Sequence, residues 1–308
     1  MAAVLGALVP VFMLIGLGLI LRRTLVPVDA QWGGLERITY YVLFPALLIV
    51  TLARADLDAV PVLDVGAALL LAALITSALC LALGPMLRAR FGVGGPAFTS
   101  VFQGATRFQT YIALGVVGAL YGDLGLTLAS VATVAMVPIL NVLSVAVMTR
   151  YAAPERLPPL KVAVMIARNP LIWACGIGIA LSLLHVTIPA PIFQFGDALG
   201  RASLAVGLLV TGAGLRPGDL MRPNAAATAA VVLKLVLMPA IAGALALWFR
   251  LSGTDLAVVV CCAAVPTSPS AYVLARQMGG DAPLLAQIIT LQTVLAALTM
   301  PLALMLVR

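Results

Sequence analysis

Apolar runs of about twenty residues recur along the whole chain, and its charges fall mainly between them. A helix of that length crosses a hydrocarbon core of roughly 30 Å, and lipid offers no water to satisfy a backbone left open. The runs therefore predict an all-α polytopic membrane protein. Only 9% of the 308 residues are charged and 63% are hydrophobic, with mean hydropathy +1.16, whereas a soluble domain carries about a quarter charged residues. The first run, "AAVLGALVPVFMLIGLGLIL", is longer than a signal-peptide core and is followed by no cleavage-type site, so it reads as a retained span. Cys80, Cys175, Cys261 and Cys262 all lie in apolar runs without histidine at metal-ligand spacing and read as small buried residues. Nothing calls for a metal or other cofactor. The net charge of +7 reads as membrane topology rather than as a nucleic-acid surface.

Ten spans are expected, roughly at 2–21, 38–53, 64–87, 96–120, 124–148, 163–184, 198–215, 225–249, 256–277 and 284–306. One set of loops collects 12 Lys and Arg residues and the other only 3 (Arg54, Arg250 and Arg308). Cytoplasmic loops carry the excess, so both termini are expected outside a bacterial-type inner membrane. The polar, Pro-rich stretch 151–162 reads as a cytoplasmic linker dividing five spans in 1–150 from five in 163–308. An odd number of spans per half inverts the second half. "TYIALGVVGALYGDLGL" at 110–126 resembles "AYVLARQMGGDAPLL" at 271–285, each a Tyr, an apolar run and a Gly-Asp entering the next span. Inverted repeats with discontinuous helices build many secondary transporters.

The ninth span contains "VPTSPSAY", with Pro266 and Pro269 around Thr267 and Ser268. Proline withholds a donor and clashes with the preceding turn. The corresponding fourth span contains the polar run "FQGATRFQTY". Arg107 lies about eleven residues into its span and Pro266 about ten, so at 1.5 Å per residue both reach roughly mid-membrane. A helix broken there must line a cavity, and each break exposes a half-helix N-terminus with free N–H groups and partial positive charge. Two such ends at one point suit an anion. Ser268 or Ser270 is the expected cap in the ninth span, and Thr106 or Thr110 in the fourth. Pro10, Pro45, Pro138 and Pro239 read as ordinary kinks.

Charge within the spans has one sign. Arg107, Arg201 and Lys234 are intramembrane cations, while every Asp and Glu is expected in a loop or at a span end. An unpaired cation at the bilayer centre costs about 2.5–3.5 kcal/mol or more. Carbonyls, helix C-termini or an anionic substrate could compensate it. Arg201 is near a span end and reads as snorkelling. For Lys234, a structural cation and a functional one are equally good readings. Gln103, Gln109, Asn141, Gln287, Gln292 and Thr293 also lie within spans, where hydrogen bonding between helices is the default. Gln103 and Gln109 carry more weight because they flank the break.

"RFQTYIALGVVGALYG" at 107–122, "NVLSV" at 141–145, "RNPLIWACGIGI" at 168–179, "LKLVLMPAIA" at 233–242 and "PTSPSAYVLARQMGGDAPLLAQIITLQTVLA" at 266–296 together resemble the auxin efflux carrier family. That family includes bacterial organic-acid permeases and, more distantly, the plant PIN-formed auxin transporters. The resemblance covers essentially the whole chain. It implies ten helices as two inverted five-helix repeats, with broken helices 4 and 9 crossing, as in the NhaA antiporter and the bile-acid symporters. It implies a scaffold of spans 1, 2, 6 and 7 and a transport domain of spans 3–5 and 8–10, and it allows a homodimer. The implied substrates are carboxylates such as malate, malonate or auxin-like acids, moved by alternating access. Related bacterial sequences often have Asn where Gln109 stands.

The candidate substrate-binding residues are Gln103, Thr106, Arg107, Gln109, Thr110, Asn141, Pro266, Thr267, Ser268, Pro269, Ser270 and Tyr272, with Lys234 and Thr293 for support or coupling. The expected partners are a small organic anion and membrane lipid, with no nucleic acid. One alternative is a sodium- or proton-coupled organic-anion symporter of similar fold. The enzyme alternative is an intramembrane protease using Asp123 and Asp281. It is disfavoured because both acids fall at span ends on opposite faces, and two catalytic carboxylates must share a site.

Overall fold

Proline sets the course of two of the long spans. In the computed structural model, which describes residues 2–55, 61–152, 164, 170–186, 188–218 and 224–307, α1 (Ala2–Thr24) is followed by α2 (Asp29–Ile38), a π-turn at Thr39–Leu43 and α3 (Phe44–Arg54). These last three form one continuous helical stretch of 26 residues. Pro45 has no N–H for the Tyr41 carbonyl and would crowd it. The wider turn relieves that conflict, with the Phe44 N–H donating to Thr39. The same device recurs where α9 (Ala225–Val232) passes through a π-turn at Leu233–Leu237 into α10 (Met238–Trp248), immediately before Pro239. Pro10 and Pro138 sit inside continuous helices.

The remaining helices are α4 (Val62–Phe91), α5 (Gly95–Thr106), α6 (Thr110–Tyr151), α7 (Pro170–Leu183), α8 (Ala190–Ala213), α11 (Gly253–Ala264), α12 (Ser270–Met278) and α13 (Ala282–Leu306). No strand occurs among the described residues. Six helical stretches among them are long and apolar enough to cross a membrane. One of these, Gly95–Tyr151, has 57 residues, about 85 Å at 1.5 Å per residue, far more than one crossing needs. It turns back at Gly122, whose φ of 58° and ψ of −140° belong to glycine.

Two expected spans are longer than the hydropathy suggested. The second begins its helix at Asp29 rather than near 38, and the seventh runs over Ala190–Ala213 rather than 198–215. Polar residues in their opening segments (Asp29 and Glu36; Gln194 and Asp197) dilute the apolar signal without stopping the helix. The linker 151–162 and the start of the sixth span lie almost wholly outside the described residues.

α1 lies against α8, and α3 against both α7 and α8. The α1–α8 approach is backbone to backbone: a Cβ at Gly212 would stand 1.8 Å from the Ile15 carbonyl oxygen. A second group forms around α6, where α4, α5 and α11 pack, with α9 and α13 against α5 and α10 against α4 and α11. Its centre is fully buried, including Phe102, Ile112, Leu114, Leu128 and Val258.

Candidate functional site

Both breaks read from the sequence are present. Between α5 and α6 the chain leaves the helix at Arg107 (φ −70°, ψ 158°) and re-enters at Thr110. Between α11 and α12 it is open from Val265 (φ −67°, ψ 149°) to Pro269. The two breaks touch. The Thr267 hydroxyl donates to the Gly104 carbonyl at 2.6 Å, and the Thr267 N–H donates to Gln292 Oε1 at 2.9 Å. Gln292 Nε2 in turn donates to the carbonyls of Gly104 at 2.8 Å and Ala230 at 3.2 Å. One buried amide on α13 thus satisfies backbone groups of three other segments, as an interior without water requires.

The expected caps are mostly not formed. Thr106 turns back along its own helix, donating to the Phe102 carbonyl at 2.8 Å, and Thr110 is already inside α6, whose N-cap is Gln109. Ser270 is the first residue of α12, and its N–H reaches the Ser268 hydroxyl at 3.4 Å. The leading half-helix N–H groups of α6 therefore lack side-chain caps at the break.

Arg107 is buried, and among the described residues its partners are neutral. Its guanidinium donates to Gln103 Oε1 at 3.4 Å and to Asn141 Oδ1 on the far part of α6. Arg107 lines a cavity of about 710 Å³ together with Gln109, Thr110, Asn141, Ser268, Pro269 and Ser270. Seven of the fourteen candidate residues thus share one space. Gln109 spans to the other helix group, donating to the Thr211 hydroxyl on α8 at 2.8 Å.

The other seven are placed elsewhere. Gln103 holds Arg107 from behind and donates to Met148 Sδ at 3.3 Å. Pro266 and Thr267 are buried at the contact between breaks, and Thr106 is buried in α5. The Tyr272 hydroxyl accepts from Arg216 at 3.1 Å. Thr293 bonds within its own helix to the Ile289 carbonyl at 2.7 Å. Lys234 is fully buried in the π-turn before Pro239, with its Nζ donating to Met238 Sδ at 3.1 Å. Neither Lys234 nor Thr293 is among the cavity's lining residues. Arg201 is exposed and pairs with Asp197 at 2.8 Å; because α8 already begins at Ala190, Arg201 lies near the middle of its helix rather than at the expected span end.

The expectation that no carboxylate reaches the interior is corrected. Glu36 lines the same cavity as Arg107, with Arg37, Tyr40, Tyr41, Phe44, Phe108 and Tyr111. The apolar run of the second span starts only two residues later, which places Glu36 in a loop or at a span end by sequence, whereas α2 carries it within a helix that continues into the span. Its place four residues before Tyr40, with the apolar run following, is the signal that α2 continues into the span.

A second cavity of about 730 Å³ lies at the opposite end of the Asp29–Arg54 stretch, lined by Leu47, Arg54, Asp123, Asp197, Arg201 and Leu204 among others. Between the two stands a ring contact. Phe44 meets Tyr111 edge-on with centroids 5.1 Å apart, and Tyr111 covers Gly207 of α8 closely enough that a Cβ there would be 2.6 Å from the ring. Asp123 belongs to this second cavity, whereas Asp281 caps α13 through the Leu284 N–H at 3.0 Å and packs beside Ser100. The two acids share no site.

Apolar helices in number, broken mid-span around a polar cavity, define a multi-pass membrane transporter. Residues 3–304 match the family described as membrane transport protein. The chain therefore belongs to that family, the auxin efflux carriers, which transport solutes and are not enzymes. No curated protein sequence matches the chain.

Proposed function

We propose that this protein carries small organic anions, carboxylates in the first place, across the membrane by alternating access. The observation that carries the reading is Arg107: a buried cation, held by two neutral amides, facing a cavity that also receives the start of the second half-helix. A cation in that setting favours an anionic ligand, and the uncapped N–H groups nearby add to the attraction. The Lys and Arg asymmetry of the loops supports an orientation with both termini outside. That orientation would open the Arg107 cavity toward the cytoplasm.

Two further features support motion of one helix group against the other. The packing of α1 and α3 against α7 and α8 supports taking spans 1, 2, 6 and 7 as a scaffold, with the broken helices in the moving group. The two repeats would then be inverted, with spans 4 and 9 crossing where Thr267 meets Gly104. A cavity on either side of the Phe44–Tyr111 contact is the arrangement that alternating access requires.

The test is binding and uptake by the purified chain in proteoliposomes, with mono- and dicarboxylates, for wild type and Arg107→Gln. Loss of charge-assisted hydrogen bonds of about 1.5–3 kcal/mol corresponds to an affinity loss of about ten- to hundredfold. Carboxylate transport by a well-folded Arg107→Gln protein at the wild-type rate overturns the reading.

A further inference from the structure

The Arg107 cavity is lined by three charged side chains, Arg107, Arg37 and Glu36, and Glu36 pairs with neither cation. Arg107 has only neutral partners among the described residues. The carboxylate of Glu36, half-buried and lining the same cavity, has neither a hydrogen bond nor an ion pair among them. Among the described residues the ion pairs are Arg22–Asp29 and Arg201–Asp197, both elsewhere. Even Arg37, adjacent in sequence and exposed at the same cavity, stays beyond ion-pair distance of Glu36. Next-door residues on a helix point in different directions.

The wall around Glu36 is aromatic. Tyr40 follows one turn along the same span, Tyr41 and Phe44 continue it, and Tyr111 faces the cavity from α6. A carboxylate in a cavity that aromatic rings also line is the chemistry that recognises an organic cation, since the ring quadrupole attracts a desolvated ammonium. A simple carboxylate satisfies Arg107 and leaves Glu36 uncompensated and repulsive. A ligand carrying both charges satisfies each and brings no net charge into a space of low dielectric.

We infer that the cavity takes a zwitterion, with a carboxylate at Arg107 and, across an apolar spacer, an ammonium group at Glu36 between the rings of Tyr40 and Tyr111. The assignment rests on the proposed role of Arg107 in carboxylate binding and narrows the substrate class to amino-acid-like molecules.

The test uses the full chain in nanodiscs and calorimetric titration with three matched series. These are straight-chain alkanoates of two to six carbons, the ω-amino acids of the same lengths and the corresponding alkylamines. At one chain length the amino acid is expected to bind about tenfold or more tighter than its alkanoate, the gain of one charge-assisted contact. Glu36→Gln is expected to abolish that preference and to bind the alkanoate more tightly than wild type does. Glu36→Asp, which keeps the charge on a shorter arm, is expected to retain the preference but shift it to a longer chain. Parity between alkanoate and amino acid at every length overturns the zwitterion while leaving the carboxylate reading intact. A preference that survives Glu36→Gln removes Glu36 from the site. Alkanoate binding accompanied by uptake of one proton, lost in Glu36→Gln, makes Glu36 a proton acceptor and also overturns the inference. Failure of every carboxylate to bind, or indifference to Arg107→Gln, instead overturns the reading of Arg107.

Discussion

The hydroxyl of Thr267 donates to the carbonyl of Gly104 at 2.6 Å, fastening the open stretch of one span to the end of a helix 163 residues earlier in the chain. Gln292 completes the junction, bonding Thr267, Gly104 and Ala230 with a single amide. The Thr267 N–H and the carbonyls of Gly104 and Ala230 are thereby satisfied without water.

Gln292→Leu should remove that support at nearly constant volume. The Thr267 N–H is left without its partner in a buried site, and orphaned buried groups cost about 1–3 kcal/mol each. A loss of about 2–4 kcal/mol is expected, read as a lowered midpoint of thermal unfolding in detergent. Gln292→Glu, protonated in this dry interior, keeps the acceptor for Thr267 and one donor for Gly104 or Ala230, and should fall between. An unchanged midpoint for both variants would mean the junction adds nothing to stability.

Replacing Pro266 and Pro269 together with Ala restores two backbone donors and removes the steric bar to helix. The stretch Val265–Pro269 is expected to wind up and pull Ser268 and Ser270 away from the cavity. Ligand affinity should drop about tenfold or more without loss of helical content by circular dichroism. Wild-type affinity in the double variant would show that Thr267 and Gln292 hold the break open without help from proline.

Gly207→Ala tests whether Tyr111 slides. The added methyl meets the ring where there is no room, and overpacking of this kind costs about 1–3 kcal/mol. If the two helix groups move past one another at this contact, uptake should slow about ten- to hundredfold while equilibrium binding stays near wild type. Gly207→Ala combined with Tyr111→Leu should recover part of the rate. Normal uptake by the single variant would place the moving surface elsewhere.

Lys234→Met exchanges a buried cation, whose acceptor is a thioether, for an apolar chain of similar length. Removing a buried charge that lacks an anionic partner should stabilise the fold, by about 1 kcal/mol or more. Because Lys234 does not line the cavity, affinity should hold within about twofold. Uptake driven by a proton gradient at clamped potential in wild type, and lost in this variant, would instead make Lys234 a proton relay.

The breaks were legible because proline and clustered polar residues inside an apolar run violate the pattern around them. Arg107, Gln109 and Asn141 stood out for the same reason, and all three line one cavity. Glu36 did not, since hydropathy reports the apolar core of a span and misses a polar opening segment that stays helical. The aromatic wall was equally silent: Tyr40, Phe44 and Tyr111 are ordinary residues for a span, and only their meeting across α3 and α6 gives them a role. Capping propensity misled at Thr106 and Thr110. In a dry interior, a hydroxyl satisfied by the carbonyl one turn back competes with the cap.

The barrier between the two cavities is thin. Phe44 lines one and Leu47 the other, three residues apart on α3; on α8 the step from Leu204 to Val210 is six. At 1.5 Å per residue the seal is roughly 5–9 Å deep, a fraction of the roughly 30 Å hydrocarbon core. With electrolyte in both vestibules, a transmembrane voltage falls almost entirely across that layer instead of across the full bilayer. One elementary charge carried through it exchanges about 2.3 kcal/mol with the field per 100 mV, over a displacement of one to two helical turns. An ion bound beside Arg107 thus needs only a short excursion to sample nearly the whole electrical driving force.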